Sequence, residues 1–371
     1  MARILYSLCG EGLGHATRSF AFIKELAKEH EIKVLCGGKS YPFLCSTIKE
    51  INSLSISSKS TNRKSVGIEH IESLRIQFKG TSVQNIKTAV FNVMRLRSII
   101  SSIRHVSKIV HEFKPNVIIS DFEPWVAYVG RRKKIPLISI DNEHIITHAR
   151  LDSSLKYKIK HMLSYIFVKL MIPKANHYFI TSFYYPPLRE NFKKNTDYVS
   201  FIVRDCIRKL IPSIRKNLVL VYTSSDITPR LVETMKTINK QFVVYNSKVN
   251  RTEGNIEFKS GTGAHFFKDL ARCEAIITTA GLSLISEAIY LKKPIYAMPV
   301  SHFEQILNAQ YVEKLGYGMH AKKITKQEAD EFFSKLNIYR KNLAKVDNFK
   351  INNDVSEAIR KINAKIKELC S

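Results

Sequence analysis

Two short apolar runs, residues 275–279 and 294–299, constrain this chain more than any other feature of its sequence. Each is bounded by Gly or Pro, and helical patterns alternate with them. Runs of that kind read as parallel strands buried on both faces and joined by a helix. The first leads through a turn at Gly281 into a helix ending near residue 291. The second leads through a polar loop into a helix beginning near Gln305. In such a sheet, ligands sit beyond the carboxyl ends of the strands. Gly281 and Ser283 fall there, at a helix start, where free N–H groups and the helix dipole favour a phosphate. Glu287, one turn further in, lies on a face that can reach a sugar diol with both carboxylate oxygens. Glu304, Gln305 and Asn308 come off the next strand end towards the same mouth. A Gly turn is common to all such units, and a Glu near a helix start is often only a dipole-stabilising surface charge. The concatenation at fixed short spacings is what predicts a nucleotide-sugar site.

The same grammar opens the chain. Residues 3–9 read as a strand, followed at once by Gly10-Glu11-Gly12-Leu13-Gly14-His15 and a helix over about 16–29. The glycine spacing is not that of a dinucleotide fingerprint. The second strand ends in Gly37-Gly38 with no acidic residue for a ribose, which argues against a nicotinamide dehydrogenase. Three glycines let a substrate approach the backbone beside His15, a residue otherwise at home as a cap or in a core.

These two segments carry a family resemblance. TTAGLSLISEAIYLKKPIYAMPVSHFEQILNA resembles the donor-binding segment of GT-B glycosyltransferases. It is closest to the lipid-linked N-acetylglucosaminyltransferase of peptidoglycan synthesis (the MurG type) and its UDP-glycosyltransferase relatives. GEGLGHATRS is similar to the N-terminal glycine loop of the same group, which likewise ends in Gly-His. The resemblance implies an α/β chain of two Rossmann-like parallel-sheet domains facing a central cleft, acceptor on the first and donor on the second. It implies that Glu287 holds the ribose hydroxyls and that Glu304 and Gln305 face the donor sugar. His15 would be the general base on the acceptor, or lie beside it, and Gly14 is placed with the donor-binding residues. UDP is the nucleotide it favours.

Between the two segments the reading rests on pattern. Residues 50–85 are polar, with a strand expected only over 74–78; residues 86–113 form one long helical pattern. Strands at 117–120 and 137–140 end in Asp121-Phe122-Glu123 and Asp141-Asn142-Glu143-His144. Each acidic pair fits a metal site of the other glycosyltransferase fold, GT-A, and equally a strand-end cap. The glycine loop argues against GT-A, so no metal and no cofactor are expected. Asp121 is the candidate to orient His15, as in some UDP-glycosyltransferases; Glu11, Glu143 and His144 are acceptor-side candidates. The first domain is expected over 1–207, a linker over 208–217 and the second domain over 218–349. A terminal helix, 350–371, packs back on the first. Ser224, at the end of the strand over 218–223, can meet phosphate.

The 371 residues carry a formal charge of +27, which suggests an anionic partner or a solvated lysine-rich surface. No zinc finger, RNP motif or arginine-rich arm points to nucleic acid. Residues 155–174 set lysines around an apolar face. They fit an ordinary core helix with a lysine edge, and equally an interfacial helix on anionic lipid. The six cysteines are scattered, without metal-ligand spacing, as free thiols in a reducing cytosol would be. With no signal peptide and no apolar stretch of membrane-spanning length, the expected place is cytoplasmic, peripheral on the inner membrane face if the interfacial reading holds. The predicted activity is transfer of a sugar from a nucleotide sugar to a hydroxyl, on a lipid-linked or cell-surface glycan precursor. Two readings compete: a nucleotide-sugar 2-epimerase of the same fold, and a non-enzymatic membrane- or polymer-binding protein with a degenerate GT-B fold.

Overall fold

The computed structural model describes all residues except 58–64, 75–77, 80–81, 84, 152–156, 224–226, 248–249, 262 and 301. The chain divides into two compact units: residues 1–77, 84–202 and 351–371, and residues 78–83 and 203–350.

The first unit begins with β1 (Arg3–Leu8), α1 (Leu13–Leu26), β2 (Glu31–Cys36), α2 (Ser40–Ser57) and β3 (Gly67–His70). A small antiparallel hairpin, β4 (Phe78–Lys79) and β5 (Ser82–Val83), clusters with the second unit. The first unit continues through α3 (Asn85–Met94), α4 (Leu96–Phe113), β6 (Val117–Asp121), α5 (Pro124–Arg132), β7 (Leu137–Asp141), α6 (Ile145–His148), α7 (Lys158–Met171), β8 (His177–Ser182) and β9 (Thr196–Ser200). Its seven strands are all parallel, in the order β3-β2-β1-β6-β7-β8-β9. β1, β6 and β7 are buried along nearly their whole length, as a parallel sheet covered on both faces requires.

Three local expectations are corrected here. α1 starts at Leu13, so His15 lies inside its first turn rather than on the preceding loop. The pattern over 86–113 is two helices broken at Arg95, which departs from helical backbone (φ −94°, ψ 8°). Its guanidinium donates to the Ser73 carbonyl and pairs with Glu72. Of the strand expected over 74–78, residues 75–77 lie outside the described residues; Leu74 is coil, and Phe78–Lys79 is a two-residue strand. The strand that pairs with β2 is β3 at Gly67–His70, whose half-exposed polar sequence hides it. Edge strands show weak hydrophobic alternation because one side meets water.

The second unit contains α8 (Asp205–Arg208), β10 (Leu218–Tyr222), α9 (Pro229–Lys236), β11 (Gln241–Ser247), β12 (Arg251–Glu253), β13 (Ile256–Ser260), α10 (Ala264–Arg272), β14 (Ala275–Thr278), α11 (Leu282–Tyr290), β15 (Ile295–Ala297), α12 (Phe303–Lys314), β16 (Gly318–His320), α13 (Lys326–Ser334) and α14 (Leu336–Ala344). Its sheet runs β12-β13-β11-β10-β14-β15-β16, parallel except for the antiparallel edge strand β12. α15 (Asn348–Cys370) ends the chain, and its Ala358, Ile362 and Ile366 join the core of the first unit.

In both sheets the strand order reverses beside the first strand of the unit, between β1 and β6 and between β10 and β14. That reversal leaves a crevice at the carboxyl ends, because consecutive connections depart to opposite faces there. The loops that the sequence singles out are the ones at these two points.

Candidate functional site

In the first unit, β1 delivers the chain into the loop over 10–12. Gly10 packs so closely on Gly37 and Gly38 that a Cβ would meet backbone at 2.9 Å, and Lys39 N–H closes the contact on the Gly10 carbonyl. Gly12 caps α1 at φ 79°, ψ 165°, a conformation open essentially to glycine alone. The paired glycines at the end of β2 thus serve packing rather than a ribose. Gly14 lies in the first turn of α1, its carbonyl accepting the Thr17 hydroxyl.

That turn presents His15 to the end of β6. Asp121 pairs in register with Leu8, is fully buried, and its Oδ1 lies 2.8 Å from His15 Nδ1. An ionised carboxylate only accepts, so Nδ1 carries the proton. Arg18, one turn along α1, donates from Nε to Oδ2 (3.2 Å) and from Nη2 to Oδ1 (2.5 Å). Ser19 donates to Oδ2 at 2.8 Å. Burial alone would raise the Asp121 pKa, but Arg18 and then His15 hold it below the ordinary value. On the other side of the ring, Glu143 Oε1 stands 3.5 Å from His15 Nε2. Burial works to lower the pKa of His15; Asp121 and Glu143 outweigh it and hold it above its ordinary value, against the charge of Arg18.

The donor atoms of His15, Asp121 and Glu143 lie within 4.8 Å of one another, a spacing that fits a divalent cation. Arg18, on both oxygens of Asp121 and 3.1 Å from His15 Nδ1, already supplies a cation at that place.

The acidic pairs come apart in the structure. Phe122 turns the chain at φ 58°, and Glu123 points back to cap α5, accepting Val126 N–H at 2.9 Å. Asp141 accepts from the His144 N–H at 2.9 Å and lies 2.7 Å from its Nδ1. His144 is 3% exposed and its ring packs against those of His148 and Tyr178. It therefore does not join His15, and the acceptor-side assignment of His144 is corrected to a buried core pair. Glu11 sits half-buried in the glycine loop.

In the second unit, β14 ends in Thr278, and Ala280 follows in the left-handed region at φ 64°. A non-glycine residue there costs about 1–3 kcal/mol. Asn308 on α12 holds the turn, donating to the Ala280 carbonyl at 3.1 Å and to Glu304 Oε1 at 2.7 Å. Gly281 caps α11 in extended backbone without a side-chain cap, and Ser283 is half-buried in the first turn. Gln305 Oε1 accepts the Val300 N–H at 3.3 Å. Ser224 lies outside the described residues.

Glu287 is almost fully buried, and Arg204 holds both its oxygens: Nε donates to Oε1 at 2.5 Å and Nη2 to Oε2 at 2.8 Å. The guanidinium lies 4.6 Å from the ring centroid of Phe267. Sequence reasoning missed Arg18, Ser19 and Arg204. Arg18 had a signal, being three residues after His15 on one helix face. Arg204, 83 residues from its partner, had none.

A search of curated proteins returns no match. Among solved structures, the chain is similar to a glycotransferase of kitacinnamycin (13% identity, 98% of each chain, TM-score 0.69). It is also similar to CalG4, the calicheamicin glycosyltransferase (14% identity, 98% of each chain, TM-score 0.66). A third is the glycosyltransferase SnogD from Streptomyces nogalater (13% identity, 100% of each chain, TM-score 0.59). At such identities the likeness speaks to fold, and the fold is GT-B. Residues 2–337 match the family described as glycosyl transferase family 1, so the chain belongs to that family and is a glycosyltransferase of the GT-B fold.

Proposed function

We propose that the protein transfers a sugar from a nucleotide sugar, a UDP-sugar by the resemblance of its donor segment, to an acceptor hydroxyl, with His15 as general base. The observation that carries this reading is the His15–Asp121 pair at the β1/β6 crevice. Its 2.8 Å contact fixes the Nδ1–H tautomer and leaves Nε2 for the acceptor. The proton removed from the acceptor goes to Nε2 as the new sugar–oxygen bond forms. The bond to the diphosphate breaks, and its electron pair leaves with the phosphate.

The donor's groups find their partners in the second unit. The uncapped start of α11 at Gly281 and Ser283 suits the diphosphate through N–H groups and the helix dipole; Ser224 is proposed as a further phosphate partner from its place in the sequence alone. No metal or cofactor is assigned a role. A carboxylate has about four lone-pair sites; Arg204 takes two of those on Glu287, leaving two for a ribose diol. Glu304 and Gln305 complete the donor set in this unit; Gly14 is proposed as a donor-side residue on the sequence resemblance alone.

The acceptor we propose is lipid-linked, met at an anionic membrane surface. α7 supports this with an apolar stripe at helical spacing: Ile159, Met162, Leu163, Ile166, Phe167 and Leu170 are each 43–70% exposed. Lys158, Lys160, Lys169 and Lys174 flank it, all exposed. Such a helix lies in an interface, its lysines on the headgroups. No described helix is long and apolar enough to cross a membrane.

The test is thermal unfolding with a panel of nucleotide sugars. A donor present at about 100 times its Kd adds about 2.7 kcal/mol of stability and raises Tm. A panel in which neither UDP-sugars nor other nucleotide sugars shift Tm would defeat the donor assignment.

A further inference from the structure

Asp121 accounts for only one nitrogen of His15; the other faces a second carboxylate. Nε2 of His15 lies 3.5 Å from Glu143 Oε1, and Glu143 is anchored, its Oε2 accepting the Asn142 N–H at 3.1 Å. Both side chains keep 17% of their surface in solvent, so the contact has an open edge. A bare imidazole nitrogen and an ionised carboxylate are both acceptors, and at this separation they repel unless a proton lies between them. The Nδ1 proton is committed to Asp121, whose charge Arg18 and Ser19 also meet. The intervening proton is therefore a second one, carried by Nε2 as imidazolium or by Glu143 as a carboxylic acid.

We propose that Glu143 is a positioning residue that shares one proton with His15 Nε2 in the resting enzyme, so that the acceptor hydroxyl gains its base only when that proton is released. This rests on the reading of His15 as base. The charged and titratable groups facing the pair are Asp121 at the end of β6, Arg18 on α1, Asp141 near Glu143, and Cys9, itself next to Glu11, at the start of the glycine loop. Burial pushes the Glu143 pKa up, more than His15 and Arg18 pull it down. His15 is raised as well, the carboxylates outweighing burial. Both directions hold the proton within the pair, and it leaves to water at the exposed edge.

The experiment needs no substrate. The full-length protein, labelled with 13C at histidine Cε1, is titrated by NMR, and the His15 signal is assigned by its disappearance in His15→Ala. The wild-type midpoint is expected above 6.5. Glu143→Gln should lower it by about one unit or more, the usual effect of removing a facing carboxylate. Glu143→Asp, which draws the carboxylate back by one methylene, should fall between. An unmoved midpoint in either variant that unfolds at the wild-type temperature would overturn the shared proton. The base assignment fails separately: turnover retained in His15→Ala removes the base but leaves a shifted midpoint in Glu143→Gln unexplained by packing alone.

Discussion

Replacing Arg204 by Met tests how the second unit is held together. In the wild type, two charge-assisted bonds of 2.5 and 2.8 Å join Arg204 to a carboxylate that keeps 3% of its side-chain surface in water. Removing one partner of a fully buried pair costs about 3–5 kcal/mol, because the other charge is left uncompensated. Arg204 itself is 31% exposed, so water can replace part of what is lost, and about 2–3 kcal/mol is the better expectation. For a unit of roughly 150 residues, each kcal/mol lowers Tm by about 2–4 °C, which gives a fall of about 4–12 °C. Met conserves the apolar stem against Phe267, so the loss reports the ion pair rather than packing. Differential scanning calorimetry of the full chain measures it. The double variant Arg204→Met/Glu287→Met should be less destabilised than the sum of the two single changes by about 1–3 kcal/mol, since no buried charge is then orphaned. A single variant unfolding at the wild-type temperature, with strictly additive changes in the double, would refute a structural role for this pair in the second unit.

Three further outcomes are expected. With Glu287 proposed to hold a ribose diol, Glu287→Ala would remove two charge-assisted bonds, each contributing about 1.5–3 kcal/mol, so nucleotide affinity by calorimetry should fall on the order of 10²-fold; unchanged affinity in the folded variant would contradict the assignment. His15→Ala should lower kcat by about 10²–10⁴-fold with little change in donor binding. The His15 pKa is raised and imidazolium cannot accept a proton, so kcat/KM should fall with decreasing pH from a midpoint above 6.5, a limb that His15→Ala abolishes. Vesicles with anionic lipid should sediment the protein and neutral ones should not. High salt, which shortens the screening length from about 8 Å at physiological ionic strength, should weaken that binding. Leu163→Gln together with Ile166→Gln should abolish it, and intact binding would exclude α7.

How much of this was legible before folding differs by element. Strands β1, β6, β7, β10 and β14 announce themselves as apolar runs ending in Gly or polar residues, because a parallel sheet covered on both faces leaves no room for alternation. The two loops at the strand-order reversals were marked by glycine and by their spacing to His15 and Glu287, since backbone conformation and helix starts are written in local sequence. The weak signals were at edges and breaks: β3 shows its polar side to water, and Arg95 interrupts a helix through tertiary contacts with Glu72 and Ser73.

What the sequence by itself determined is therefore the two parallel-sheet units and the position of each candidate loop on them. What only the tertiary structure decided is who faces whom. Asp121 and Arg18 are 103 residues apart and Arg204 and Glu287 are 83 apart, and no periodicity records such a pairing. Asp121, Glu123, Asp141 and Glu143 are alike in sequence. A left-handed turn at Phe122 sends Glu123 back to cap α5, and Asp141 takes His144 into the core. That leaves Asp121 and Glu143 on opposite nitrogens of His15. Lys293, one of two adjacent lysines, is 1% exposed, its ammonium donating to the carbonyls of Ala271 and Cys273. Side-chain type is local information, but its charge acts over a few ångströms in space, and only the fold sets those distances.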